Sequence, residues 1–270
     1  MLLFYFIILI LGLIVGSFLN VVIFRLENGE KIVNDRSKCL RCKHVLAWYD
    51  LIPVLSFIFL KGKCRYCEER ISWQYPVVEM GTGILFIIVF SIQYSVFSIF
   101  YLLFWFYIVS ALIVIFVYDL KHYIIPDKVI YPAIAITFIY RLFEILNFGH
   151  LNLFRIWNLP AQGWSALGGE IGNLITVFNP FIAAILASAF FLSIVLLTHG
   201  RGMGGGDVKL GFLMGLILGW PLVLIALFLS FILGSIIGIF LILVGKKKMK
   251  SMIPFGPFLV LGTFIAMFWG

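Results

Sequence analysis

Charge is scarce in this sequence: of 270 residues, 12% are Asp, Glu, Lys or Arg, where soluble domains carry about a quarter. With 63% hydrophobic residues and a mean hydropathy of +1.13, the deficit excludes a disordered chain, a disulfide-stapled secreted domain and a self-contained water-soluble enzyme. No globule of this size hides so much Phe, Ile and Leu from water. Acidic residues number only twelve, and six of them (Glu27, Glu30, Asp35, Asp50, Glu68 and Glu69) lie in one polar loop. All four cysteines fall within 29 residues, and the other 241 hold none. No internal repeat and no low-complexity linker is read from the chain. The remaining class is an all-α polytopic membrane protein.

Runs of about 17 to 25 apolar residues are the length that a hydrocarbon core about 30 Å thick asks of a helix. They mark about eight transmembrane helices, at 1–24, 77–97, 98–118, 129–146, 178–198, 208–220, 221–244 and 252–269. The first lacks a basic leader and is too long for a signal-peptide core, so it is read as a retained span. Lys and Arg collect in cytoplasmic loops. With the N-terminus outside, the cytoplasmic segments 25–76, 119–128, 199–209 and 245–251 hold 18 of the 20 basic residues, leaving only Arg141 and Arg155 on the other side. The net charge of +8 thus reads as orientation, and no nucleic-acid partner is expected. The uncharged stretch after Lys209 reads as a hairpin broken at Gly219-Trp220-Pro221. Its first arm is short, so its start lies below the membrane surface or the arm is re-entrant. Residues 147–177, with Trp157 and Trp164, read as an interfacial insertion on the external side, a partly buried helix being the alternative.

All four cysteines fall in the first cytoplasmic segment, as Cys39-x2-Cys42 and Cys64-x2-Cys67. Two such knuckles offer the four thiolates that tetrahedral Zn²⁺ takes, and a site with four protein ligands and no open position is structural. Lys38, Arg41, Lys43, Lys63 and Arg65 offset the excess negative charge. A pair of disulfides is the alternative, disfavoured in a cytoplasmic loop. His44 is a neighbour rather than a needed ligand.

Few acidic residues remain. Asp119 ends an apolar run, and Asp207 follows Gly204-Gly205-Gly206 at the start of another. Both map to the cytoplasmic edge, where an ionisable group is costly and tends to face a bundle interior or a wet cavity. Two carboxylates brought together form an aspartic-protease pair: one activates water, the other donates a proton to the oxyanion and the leaving amine. The plainer reading makes Asp207 a helix N-cap and Asp119 a partner of Lys121 or His122. Asp127 reads as a residue of a helix N-terminus. For Glu79, packing, substrate binding and cofactor binding all stay open.

Several strings, in order along most of the chain, resemble the type IV prepilin peptidases. They include Gly16-Ser17-Phe18-Leu19-Asn20, the double knuckle, Trp48-Tyr49-Asp50-Leu51-Ile52-Pro53, Tyr75-Pro76-Val77-Val78-Glu79, Asp119 with Ile125-Pro126-Asp127, and Pro254-Phe255-Gly256-Pro257-Phe258. Gly204-Gly205-Gly206-Asp207-Val208-Lys209 matches the family's Gly-x-Gly-Asp-x-Lys. The resemblance implies a bifunctional inner-membrane enzyme of pilus assembly or type II secretion. Such an enzyme cleaves the basic leader of a prepilin or pseudopilin after a glycine, then methylates the new N-terminus with S-adenosylmethionine. It implies that Asp119 and Asp207 are the catalytic pair, supported by Gly204, Gly206 and Lys209, and that Cys39, Cys42, Cys64 and Cys67 hold zinc. The domain plan becomes a first span at 1–24, a cytoplasmic zinc-binding domain at 25–76 and a membrane aspartic-peptidase domain at 77–270. The family pattern does not clearly include 147–177, and no residue is assigned to S-adenosylmethionine.

Two other readings share the aspartates. A presenilin-like intramembrane protease also carries Gly-x-Gly-Asp but has no zinc knuckles. A transporter using the pair for ions or protons predicts midplane polar residues and a repeated half, and neither is evident.

Overall fold

The structure, a computed structural model, describes residues 2–30, 36–93, 99–147, 169–200, 203–245 and 253–269. Within these residues the only regular elements are helices: α1 (Leu2–Asn28), a 3-10 turn (Trp48–Leu51), α2 (Leu55–Phe59), α3 (Gln74–Gln93), α4 (Ile99–His122), α5 (Asp127–Asn147), α6 (Gly169–Leu197), α7 (Gly205–Leu218), α8 (Leu222–Leu243) and α9 (Gly256–Trp269). The eight longer ones match the eight apolar runs in order. Among the described residues, five segments are long and apolar enough to cross a membrane: Leu2–Asn28, Gln74–Ile92, Ile99–His122, Phe178–Leu197 and Leu222–Leu243. The other three fall short. α5 carries Asp127, Lys128, Arg141 and Glu144, and α7 and α9 have 14 residues each. Most of the expected 147–177 insertion lies outside the described residues, and its last part, from Gly169, is the beginning of α6.

The chain forms two compact units, Met1–Val114 and Ile115–Gly270, divided inside α4. In the first, α1 packs on α3 with nothing larger than hydrogen between the backbones at two points. A Cβ on Gly12 would sit 2.6 Å from the Cα of Gly83, and one on Gly16 would sit 2.7 Å from the Cα of Glu79. This Gly-x3-Gly seam is how helices approach closely in lipid, where apolar surface gives no drive to associate and packing supplies it. Asn20 of α1 seals the end of the seam, donating to the carbonyl of Tyr75 at 3.1 Å and accepting from Gln74 Nε2 at 3.3 Å.

In the second unit α7 is the centre, packing against α5, α6, α8 and α9. Gly211 and Gly215 repeat the small-residue seam: a Cβ at Gly215 would collide with the backbone of Ala184 in α6. The hairpin break expected at Gly219 is present. Gly219 has φ +68, a left-handed turn that suits glycine, and α8 begins three residues later. Both sides of the break are closed by protein. Arg141 of α5, buried, donates to the carbonyls of Leu216 and Ile217 at 2.9 and 2.6 Å, and Asn179 of α6 bonds both the N–H and the C=O of Trp220 at 2.6 and 2.8 Å.

One expectation is overturned. The polar loop between α1 and α3 does contain a repeat, of two short knuckles offset by 25 residues. The bridge Lys38↔Val45 recurs as Lys63↔Arg70. Cys39 N–H bonds the carbonyl of His44 as Cys64 N–H bonds that of Glu69, and Lys43 and Glu68 both turn with φ 56. Trp48 and Trp73 stand at equivalent positions. Only the cysteines, one lysine and the tryptophan are shared between the halves, because backbone geometry and not side-chain identity makes a knuckle; the sequence alone therefore hides the period.

Candidate functional site

The knuckles bring the four sulfurs of Cys39, Cys42, Cys64 and Cys67 within 4.8 Å of one another. Zn–S bonds of about 2.3 Å place tetrahedral sulfurs about 3.8 Å apart, and the Cys39 and Cys67 sulfurs are 3.8 Å apart. Burial pushes the Cys39 thiol up, but backbone hydrogen bonds from Cys42 and Arg41 and thiol hydrogen bonds from Cys64 and Cys42 pull it down further, to about 7. At Cys67 the backbone of Glu69 pulls down, while burial and the Cys64, Cys42 and Cys39 sulfurs push the thiol up to about 12. Four sulfurs at this spacing are a donor set that fits Zn²⁺. His44 is outside the four-sulfur group, and its ring lies on Tyr66, with centroids 3.7 Å apart. The second knuckle also grips the 3-10 turn. Arg65 Nε donates to Asp50 at 2.8 Å and Tyr66 Oη donates at 3.1 Å.

The aspartates lie in the second unit. Asp119 is in the last turn of α4, buried, and its carboxylate is hydrogen-bonded by the backbone of Gly256. A Cβ on Gly256 would stand 2.5 Å from Asp119 Oδ2, so only glycine leaves the carboxylate where it is. Phe255 anchors that approach, its ring centroid 5.0 Å from that of Phe231 in α8 and 6.4 Å from that of Phe191 in α6. Asp207 is the third residue of α7. Its Oδ2 accepts the N–H of Gly204 at 3.2 Å, closing the first turn as a cap. Gly206 packs against Ile125, where a Cβ would lie 3.1 Å from that side chain. The two carboxylates lie within electrostatic reach of each other.

Lys209, one of the residues singled out with Gly204 and Gly206, reaches across to α5. Its Nζ is 2.6 Å from Asp127 Oδ1 and 4.7 Å from the centre of the Tyr131 ring. Asp127, read from sequence as a helix N-terminal residue, is the first residue of α5 and also the partner that ties the start of α5 to the start of α7. Spacing of 82 residues gave no sign of the pair.

Glu79, left open above, is buried in α3 and accepts the N–H of Val54 at 2.7 Å and a hydrogen bond from Ser17. Val54 needs that grip. It has φ 62 and ψ −48, with Leu55 N–H bonded back to the carbonyl of Pro53 at 2.6 Å. This is a γ-turn of the rare positive-φ kind, strained for any side chain and more so for a β-branched one.

Family models for the bacterial peptidase A24 N-terminal domain and the type IV leader peptidase family match residues 10–93 and 106–239. The chain is similar to proteins named prepilin leader peptidase/N-methyltransferase. The relative from Bacillus subtilis (strain 168) is 32% identical over 98% of this chain and 94% of its own length. That from Pseudomonas putida is 31% identical over 97% and 89%, and that from Aeromonas salmonicida (strain A449) 31% over 99% and 91%. No solved structure matches. Identity at this level along nearly the whole length places the chain in the type IV leader peptidase family, as a multi-pass membrane enzyme.

Proposed function

We propose that the protein is an aspartic endopeptidase of the inner membrane that removes the basic leader of type IV prepilins or pseudopilins. It then N-methylates the exposed terminus. Asp119 and Asp207 are the catalytic pair in this reading. What supports it is that two carboxylates from different elements, at the end of α4 and the start of α7, lie within electrostatic reach of each other in a chain of the leader peptidase family. One carboxylate takes a proton from water as that water attacks the scissile carbonyl. The other hydrogen-bonds the oxyanion and passes a proton to the leaving amine. Gly206 keeps the approach to Ile125 narrow, and Gly204 gives its N–H to the Asp207 carboxylate. Lys209, held by Asp127, fixes the turn that carries it.

The proposed topology has eight spans, with α5, α7 and α9 crossing as short or polar helices. The N-terminus is outside, and residues 25–76 and both aspartates are at the cytoplasmic face. That placement suits a substrate whose basic leader is cytoplasmic and whose next segment is an apolar helix in the bilayer. Cys39, Cys42, Cys64 and Cys67 hold Zn²⁺ as a structural ion, and 77–270 forms the peptidase domain. S-adenosylmethionine, the methyl donor of this activity, has no residue of the chain assigned to it.

The test is leader removal from a prepilin-like substrate in liposomes by wild type, Asp119→Asn and Asp207→Asn, followed by product mass. Asn keeps the shape and cannot serve as carboxylate base or acid. Loss of cleavage in either variant with zinc content unchanged supports the pair; normal cleavage by both sinks it.

A further inference from the structure

The segment from Trp48 to Phe59 belongs to the loop that charge counting assigns to water, yet its anchorage puts it deeper. Val54 is bonded to Glu79 at 2.7 Å. Glu79 stands five residues into α3, a depth of about 7.5 Å at 1.5 Å per residue. On α1 the facing residue is Gly16, whose added Cβ would lie 2.7 Å from the Cα of Glu79; it stands nine residues, about 13.5 Å, before Arg25, the first charge after the apolar run. Both helices are membrane spans by length and composition, so the γ-turn they hold lies below the surface from which the loop emerges.

The side chains around the turn agree with that depth. Between Ala47 and Leu60 the polar residues are Tyr49, Asp50 and Ser56, and the Asp50 side chain is 3% exposed, consumed by Arg65 and Tyr66. Six of the apolar ones are exposed, among them Phe59 at 80%, Trp48 at 77% and Leu55 at 52%. Trp73, the counterpart of Trp48 in the second knuckle, is 74% exposed just before α3, and Val77 carries the same face into the span at 64%. The apolar surface is thus continuous with the lipid-facing side of α3. It is bordered by Lys61 and Lys63, both exposed. Exposed tryptophans and apolar side chains flanked by lysines are the composition of an interfacial element on an anionic membrane.

We propose that Trp48–Phe59, with Trp73, is an interfacial anchor that seats the metal-binding lobe on the bilayer, its occupant being the headgroup and upper acyl region of an anionic leaflet. The inference rests on α1 and α3 as membrane spans and is independent of the catalytic assignment.

The experiment places p-benzoylphenylalanine at position 59 of the full chain, and separately at Leu40, exposed on the first knuckle. Each is irradiated in nanodiscs of phosphatidylethanolamine and phosphatidylglycerol and the peptides are weighed. Lipid adduct at 59 with none at 40 is the expected result. Adducts of equal yield at both positions, an adduct to a second protein chain at 59, or no adduct at 59 overturns the proposal. Position 73 serves as a second probe site if substitution at 59 lowers zinc content, and it carries the same expectation.

Discussion

Replacing Gly256 by alanine separates the position of Asp119 from the stability of the fold. The new methyl carbon would lie 2.5 Å from Asp119 Oδ2 and 3.1 Å from its Cγ, whereas carbon and oxygen rest at about 3.3 to 3.6 Å. The carboxylate must retreat by about 1 Å. Because the obstructed atoms are the end of a side chain, the retreat is cheap, and destabilisation should fall below the 1–3 kcal/mol typical of overpacked cores. Catalysis is less forgiving: a misplacement of about 1 Å costs on the order of 10²-fold, or about 2.7 kcal/mol of barrier. The expected outcome of Gly256→Ala is a kcat for leader cleavage lower by about 10²-fold with KM little changed. Midpoint of thermal unfolding and zinc content should stay near wild type. Gly238→Ala is the control, since its Cβ would meet nothing closer than Ile253 Cδ1 at 3.7 Å. A Gly256→Ala enzyme with wild-type kcat would refute the claim that this glycine sets where the carboxylate stands.

Three other outcomes are expected. Glu79→Ala leaves the Val54 N–H without its acceptor and should destabilise the protein by about 1–3 kcal/mol, while Val54→Gly, by removing the side chain from a positive φ, should stabilise it by about 1 kcal/mol; thermal unfolding in nanodiscs measures both, and a stabilising Glu79→Ala would contradict the latch. Lys209→Met breaks a partly exposed ion pair worth at most about 1 kcal/mol, so cleavage rate should drop by more than stability does; equal small changes would deny Lys209 a positioning role. A chelator should strip one metal per chain and expose all four cysteines to alkylation, as read by mass, and a chain alkylated at all four thiols before chelation would show that no metal was bound.

Most of the helical framework was legible because a span needs about twenty apolar residues in a row, and that demand is one-dimensional. α1, α3, α4, α6 and α8 follow from it. The aspartates and the knuckles were equally visible, since a carboxylate beside an apolar run and a tight cysteine spacing are local features. What stayed hidden depends on pairing across the chain. Arg141, counted only as an exception to the charge rule, turned out to bond the carbonyls that end α7. Asp127 and Lys209 look like two unrelated charges until the starts of α5 and α7 are brought together. Gly12 and Gly16 carry a spacing that marks close helix packing in lipid, a signal present in the sequence and passed over. Glu79 had no readable partner because it binds a backbone N–H, which every residue but proline offers.

The closure of α7 by Arg141 and Asn179 has a consequence for how the protein meets membranes of different thickness. A helix that ends at the interface has its last carbonyls satisfied by water, so its length and tilt must follow the bilayer, and a mismatch shifts whatever it carries. α7, 14 residues long, ends on side chains of α5 and α6. The carbonyls of Leu216 and Ile217 are satisfied wherever the lipid surface lies, so the end of α7 need not follow the bilayer. Acyl chains shortened or lengthened by several carbons should press on α1, α4 and α8 and leave the end of α7 in register with α5 and α6.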